Sequence, residues 1–206
     1  MTRTRYRFGD DHYPYFMTNT VVAWLPVFSH PDFANVVLDS WRFLQRERDI
    51  IVLAFVIMEN HLHWIAVGPQ LPKRVGEFKS FTATTIIKKM QANRYETLLQ
   101  ELRFYKLRHK VDQTHQLWQV GSHPRVIKSG DVRWQKIEYI HNNPLRRGYV
   151  DDPTHWLYSG ARLYAGQPGL IDVCVSWRQR LRLGVGASTA VRSQAGAWER
   201  DDERTG

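Results

Sequence analysis

Nine consecutive apolar residues, Ile50–Met58, constrain the fold of this chain more than any other feature of its sequence. A run of this kind is typical of a central strand that is buried on both faces of a sheet. Only two residues separate it from a second strand-like stretch, His61–Val67. The two stretches are therefore predicted to pair as a β-hairpin.

The segments around this hairpin predict an alternation of strands and helices. Two further strands are expected, at Tyr15–Trp24 and Gln116–Val120. Apolar residues at helical spacing predict helices at Pro31–Asp49, Val75–Gln91, Glu96–Lys110 and Asp131–Asn143, with a proline-containing loop at Gln70–Arg74. The resulting order is strand, helix, strand, strand, helix, strand, helix. We therefore predict an α+β, ferredoxin-like split βαβ fold, with helices on one side of a central antiparallel sheet.

The composition changes near the C-terminus. From about Arg178 onward Gly, Ser, Ala and charged residues dominate, with little periodicity. We therefore expect one domain over residues 1–177 and a polar, mobile tail over residues 178–206.

A net charge of +9 and a pI of about 9.8 indicate a polyanionic partner, and nucleic acid fits better than a membrane. Ten Lys or Arg against three Glu lie between Lys73 and Lys110, and an Arg pair follows the last predicted helix. The side chains that we expect to contact DNA phosphates are Lys79, Lys88, Lys89, Arg146 and Arg147. Such charges are also typical of a solvated surface, and this alternative stays open.

The cellular setting follows from what the sequence lacks. Cys174 is the only cysteine, so neither a disulfide framework nor a cysteine zinc site is expected. No stretch approaches the roughly 18 apolar residues of a membrane span. The residues after Arg3, Arg5 and Arg7 do not resemble the apolar core of a signal peptide. We expect a cytoplasmic protein without a membrane partner.

Two histidines begin the second strand of the hairpin. His61 and His63 are two residues apart, so both side chains project from the same face of the strand. Two imidazoles on one face form half of a metal site. A metal would also remove the cost of burying an unpaired imidazole. Buried histidines without a ligand remain the alternative.

Residues 139–150, "YIHNNPLRRGYV", suggest a helix that ends before a proline and runs into a basic turn. Within the predicted helix, Tyr139 and Asn143 are four residues apart and share a face. The amide oxygen of Asn143 is a hard ligand that suits Mg²⁺ or Mn²⁺. Alternatively, Tyr139 is an interface aromatic and Asn143 caps the helix before the proline.

Together these stretches suggest phosphodiester chemistry. A tyrosine hydroxyl, with an ordinary pKa near ~10, is a poor nucleophile at neutral pH. A divalent metal would polarise the phosphodiester and neutralise the charge that develops on its oxygens. Attack on phosphorus would give a phosphotyrosine and release a hydroxyl, an exchange that needs no ATP.

The sequence resembles the REP-associated tyrosine transposase group of the single-tyrosine HUH transposases. The resemblance covers about Tyr6 to Val175 and rests on five motifs in the expected order. These are "MENHLHWI", "FKSFTATTIIKKM", "LWQVGSHP", "KIEYIHNNPLRRGYV" and "HWLYSGARLYAGQPGLIDV". In relatives, the residue two before the first histidine is often small or proline, whereas this chain has Glu59.

The resemblance implies a metal-dependent enzyme that nicks and rejoins single-stranded or hairpin DNA. It makes His61 and His63 ligands of Mg²⁺ or Mn²⁺, Asn143 the third ligand, and Tyr139 the nucleophile that forms a 5′-phosphotyrosine. Two alternatives remain: a domesticated nuclease that processes repeats without transposing, and a non-catalytic module that binds single-stranded DNA or RNA. The state of the protein, monomer or homodimer, is also open.

Overall fold

The structure is a computed structural model that describes residues 13–107, 113–121 and 124–176. Its strands and main helices are β1 (Tyr15–Thr20), α1 (Pro31–Glu47), β2 (Ile51–Ile57), β3 (His61–Val67), α2 (Leu71–Ala92), α3 (Glu96–Phe104), β4 (Arg125–Val126), α4 (Gly130–His141), α5 (Asn143–Arg146) and α6 (Ala161–Tyr164). Three short 3₁₀ turns are Val22–Trp24, Val27–Ser29 and Pro153–His155.

The four strands form one antiparallel sheet in the order β2-β3-β1-β4. The hairpin β2–β3 is therefore present, and β1 lies between β3 and β4. This is the strand order of a split βαβ unit, so the predicted α+β, ferredoxin-like fold is confirmed. A register shift between Val52 and Ala54 makes Leu53 a bulged residue in β2.

One face of the sheet carries the main aromatic core. Phe55 and Trp64 pair across β2 and β3 on this face. Trp41 of α1 packs on Trp64 with ring centroids 5.5 Å apart, and Phe78 of α2 lies 5.4 Å from Trp64. The two helices of the split βαβ unit therefore pack on the same side, as expected.

The opposite face carries the histidine pair and is covered by α4. The residues that alternate with the core face include Thr18, Val56 and His63, which are aligned across the three strands. Tyr139 of α4 packs against His63 on this side. The expectation that helices lie on one side of the sheet therefore holds for α1 and α2 but not for α4. Because helices cover both faces, eight of the nine residues of Ile50–Met58 are buried.

The fourth strand is not where the sequence predicted it. Gln116–Val120 makes only one bridge, between Trp118 and Val21, and β4 is the exposed pair Arg125–Val126. Leu117 and Trp118 are buried beside the end of β1, where pairing stops after this single bridge, whereas Val120 is exposed. Burial without an extended strand partner produced the misleading pattern.

Two element boundaries are also corrected. β1 ends at Thr20 rather than Trp24, because a turn with left-handed residues follows. Gln70–Arg74 is not a loop, since α2 begins at Leu71 and accommodates Pro72 in its first turn, where no helical N–H bond is needed.

Two other predictions fall outside the described ranges. α3 ends at Phe104, short of the predicted end at Lys110, and residues 108–110 lie outside the described ranges, as does the tail at 178–206. The division into residues 1–177 and 178–206 therefore stays a prediction. Among the described helices, none combines the length and the apolar character that crossing a bilayer requires.

Candidate active site

The β2–β3 hairpin brings the two histidines together. His63 is paired with Thr18 and His61 with Thr20 of β1, so both imidazoles point to the face under α4. Their ring centroids are 4.8 Å apart, and the side chains are only 4% and 6% exposed. The predicted pair on one face is confirmed, while its role as a metal site stays a prediction.

Each imidazole is oriented by a hydrogen bond at Nδ1. His63 Nδ1 lies 2.8 Å from Thr18 Oγ1, and His61 Nδ1 lies 2.7 Å from Asn60 Oδ1. A hydrogen bond at one ring nitrogen fixes the ring and leaves the other nitrogen for a ligand. Nε2 is therefore the nitrogen that each histidine would offer to a metal.

Both histidines are neutral at physiological pH. Burial, and then the neighbouring Arg147 guanidinium, lower the pKa of His61 to about 4. Burial is the main cause that lowers the pKa of His63 to about 3, and the neighbouring His61 and Lys136 lower it further. Neutral imidazole is the form that binds metals, so no proton has to be removed near pH 7.

Tyr139 reaches the histidines from α4. The helix begins after Ser129, whose Oγ accepts a hydrogen bond from the Val132 N–H, and ends at His141 rather than at the predicted Asn143. The Tyr139 ring lies 5.3 Å from His63 at an angle of 65° and is half-buried. Phe16 stacks on His63 and contacts Tyr139 edge-on, which fixes the spacing of the two rings.

Two cations flank the Tyr139 ring. Arg146 Cζ lies 5.4 Å from its centroid, and Lys136 Nζ lies 5.6 Å away. Lys136 was not predicted from the sequence, although it precedes Tyr139 by three residues and therefore shares its helix face. Positive charge at this position could attract a phosphodiester.

Asn143 begins α5, one turn after Tyr139, and is 8% exposed. No group of three or more His, Cys, Asp or Glu able to hold a metal occurs in the part of the chain that the structure describes. A third protein ligand would therefore have to be another residue type. An amide oxygen such as that of Asn143 satisfies this requirement.

Glu59 connects the hairpin turn to the basic turn after α5. Its Oε1 accepts a hydrogen bond from Arg147 Nη1 at 3.5 Å. Burial and the neighbouring Glu59 carboxylate raise the pKa of Tyr149, which makes this second phenol a poorer nucleophile than an ordinary tyrosine. Glu59 therefore contacts the basic turn, which the sequence alone did not show.

The predicted lysines do not join this cluster. Lys79, Lys88 and Lys89 belong to α2, which packs on the other face of the sheet. Lys79 Nζ donates to the carbonyl oxygens of Gln119 and Gly121, at 3.1 and 3.4 Å. Arg146 and Arg147 lie close to the histidines and Tyr139, and the α2 lysines do not. Contact of any of these side chains with DNA stays a prediction.

Neither a protein-family model nor a curated protein matches the sequence. Among solved structures, the chain is similar to a REP-associated tyrosine transposase bound to a REP hairpin. The TM-score is 0.58, with 17% identity over 85% of this chain and 93% of that chain. A second solved structure, that of a Deinococcus radiodurans R1 protein provisionally assigned as a transposase, is 19% identical over 69% of this chain and 97% of that chain. Its TM-score of 0.40 is too low to support a conclusion. The chain therefore has the fold seen in the structure of the REP-associated tyrosine transposase.

Proposed function

We propose that this protein is a metal-dependent transesterase, of the HUH transposase class, that acts on single-stranded DNA. It would nick and rejoin DNA at hairpin-forming sequences through a 5′-phosphotyrosine on Tyr139. The observation that carries this proposal is the contact between Tyr139 and His63, with ring centroids 5.3 Å apart on a face that also holds His61. A phenol beside two neutral imidazoles is the set of groups that this chemistry requires.

The donor set fits a hard divalent cation. Nε2 of His61 and Nε2 of His63, together with the Asn143 amide oxygen, would hold Mg²⁺ or Mn²⁺. Such an ion polarises and orients a phosphodiester and neutralises the charge that develops on its oxygens. The hydrogen bonds to Thr18 and Asn60 support the fit, because ligand histidines are commonly oriented through their second nitrogen.

The covalent step is an exchange of one phosphodiester for another. The Tyr139 oxygen attacks phosphorus, a bond from phosphorus to tyrosine forms, and the bond from phosphorus to the departing 3′ oxygen breaks. Overall, one proton passes from the phenol to the 3′ oxygen. Lys136 and Arg146 lie where they could offset the negative charge of the phosphate. The reverse reaction rejoins the strand without ATP.

The DNA partner is proposed from the charge and from the fold. The solved structure of similar fold is bound to a REP hairpin, and the net charge of this chain is +9. We infer a hairpin with single-stranded flanks as the substrate class. A repeat-processing nuclease that does not transpose would use the same groups, so both outcomes belong to this proposal.

The non-catalytic alternative finds less support. Ferredoxin-like domains that only bind RNA stack bases on aromatic side chains exposed on the sheet. Here the strand aromatics Tyr15, Phe16, Phe55 and Trp64 are all at most 7% exposed. Neither face of the central strands offers such a platform.

The decisive experiment is a search for the covalent intermediate. Hairpin oligonucleotides with randomised single-stranded flanks are incubated with the protein and Mn²⁺, and denaturing gels reveal any protein–DNA adduct. Tyr139→Phe should abolish the adduct while leaving DNA binding intact. Tyr149→Phe is the matched control, because it removes a phenol from the adjacent turn. An adduct that persists in Tyr139→Phe, or DNA binding with no adduct in any protein, would overturn the proposal.

A further inference from the structure

The turn after β1 holds two adjacent residues in a strained backbone conformation. Ala23 has φ 53° and Trp24 has φ 57°, in the left-handed region that residues other than glycine rarely adopt. They are the only neighbouring pair of this kind among the described non-glycine residues. Strain of this type persists only where the surrounding structure fixes it, and it is concentrated at functional sites.

The surroundings of this turn do fix it. Val21 donates to the Asn60 carbonyl at 2.9 Å, and Trp24 donates back to the Val21 carbonyl at 3.0 Å. Val21 and Val22 are buried. The turn is thereby joined to Asn60, the residue whose side chain orients His61. Its position is therefore set relative to the candidate metal ligands.

The turn directs the Trp24 indole outward beside the site. The side chain is 53% exposed, yet its ring lies 5.6 Å from that of His61 at an angle of 71°. An indole that is half in water contributes little to the core, so packing does not account for the strained backbone. Ring contacts run in sequence from Trp24 to His61, then to His63 and to Tyr139. Trp24 and Tyr139 therefore lie at the two ends of one row.

We propose that Trp24 is a stacking platform for a nucleobase of the single strand that flanks the scissile phosphate. This inference rests on the proposed function, because it assumes a phosphodiester bound at the histidine pair and Tyr139. A base adjoining that phosphate would lie on the exposed indole. Aromatic stacking accepts every base through its π face, so Trp24 would add affinity and position the strand without reading a defined sequence.

The test combines a protein variant with a DNA change. Trp24→Asn removes the indole, and asparagine tolerates the left-handed backbone better than most residues. Trp24→Tyr keeps an aromatic ring. Phe81→Ala is the matched control, since Phe81 is 55% exposed on α2, on the other side of the sheet. All are made in Tyr139→Phe protein, so that binding is measured without cleavage.

The parent protein is the Tyr139→Phe protein without a further change. The DNA is a hairpin with single-stranded flanks that the parent protein binds. A series of these hairpins is made, each with one abasic site at a different position of the flanks. One abasic position should weaken binding by the parent protein about 5- to 100-fold. Trp24→Asn should bind intact DNA more weakly by a similar factor. It should show no further loss of affinity for the DNA that carries the abasic site at the sensitive position. Trp24→Tyr should restore most of the affinity, and Phe81→Ala should behave like the parent.

Each other result is decisive. The stacking role of Trp24 would be wrong if Trp24→Asn bound DNA as tightly as the parent. It would also be wrong if the losses of binding free energy from Trp24→Asn and from the abasic site were additive. Neither result would contradict the proposed function. Failure of the parent protein to bind any hairpin DNA would overturn the proposed function and this inference with it. Urea unfolding of Trp24→Asn should show stability equal to or above that of the parent, since strain is relieved. A large loss of stability would contradict the assignment of Trp24 to binding rather than packing.

Discussion

The imidazole of His63 lies edge-on to the phenol of Tyr139, with ring centroids 5.3 Å apart at 65°. The two residues belong to β3 and α4, and Phe16 of β1 contacts both rings. Regular elements rather than loops therefore fix the distance between the candidate nucleophile and the candidate metal ligands. Preorganisation of this kind is what a transesterification site needs, because the reacting groups must be held in place before DNA arrives.

Thr18→Val tests whether the orientation of His63 matters for metal binding. The change removes the hydroxyl at 2.8 Å from His63 Nδ1 and keeps the shape of the side chain. Loss of such a supporting group typically lowers metal affinity about 10- to 100-fold. Calorimetric titration with Mn²⁺ measures the effect, and Thr20→Val on the same strand is the control. Equal affinity in the two variants would show that this hydrogen bond does not support a metal ligand.

Local patterns were sufficient to predict most of the fold. The apolar run Ile50–Met58 and the strand-like stretch only two residues after it predicted a hairpin, because burial and a short connection leave a direct trace in the sequence. β4 left no such trace, since Arg125 and Val126 are both exposed. Its pairing with β1 is a tertiary contact that two residues cannot encode locally.

The sequence predicted only those contacts of the candidate site that join residues close to each other in the chain. His61 and His63 share a face because strand side chains alternate, and that follows from the sequence alone. The partners Thr18 and Phe16 depend on the register between β1 and β3, which are far apart in the chain. Likewise, only the packing of α2 on the opposite face separates its lysines from the Tyr139 cluster.

Lys136→Met should slow cleavage more than it weakens DNA binding. The ammonium lies 5.6 Å from the Tyr139 ring and 5.3 Å from the Phe16 ring, where it could offset charge on the phosphate. We expect a decrease of about 10- to 100-fold in the single-turnover rate at saturating DNA, since preorganised charges act mainly on the transition state. Lys128→Met, which removes an exposed lysine just before α4, is the control. Equal cleavage rates in the two variants would show that Lys136 does not contribute to cleavage.

His141 should make folding stability depend on pH. Burial lowers its pKa to about 4, and its Nε2 has no hydrogen-bond partner among the described residues. As pH falls below about 6.5, the unfolded chain takes up a proton before the folded one does. Stability is therefore full above pH 6.5 and is lost as pH falls towards 4, by at most about 3 kcal/mol for this residue.

His141→Phe keeps a ring against Tyr164 and removes the titrating group. Urea unfolding at pH 7 and pH 5 should show a smaller loss for the variant than for the parent protein. Part of the loss should remain, because burial also lowers the pKa of His61 and His63. Identical pH dependence in the two proteins would contradict the role of His141.

The last prediction separates the two groups of cations that we expected to contact DNA. Arg146 and Arg147 follow Tyr139 closely, and Lys88 and Lys89 are exposed on α2 across the sheet. A phosphate contact on single-stranded DNA contributes about −0.7 to the slope of log affinity against log salt. Replacing both arginines by Ala should therefore reduce the steepness of this slope by up to about 1.4. The larger part should come from Arg146, because Arg147 already pairs with Glu59.

Lys88→Ala with Lys89→Ala is the matched control, since it removes the same charge far from Tyr139. Affinities for one hairpin DNA at several salt concentrations decide the matter. If the lysine pair lowers the slope as much as the arginine pair does, DNA must also contact the α2 face, and the site described around Tyr139 would not account for binding alone.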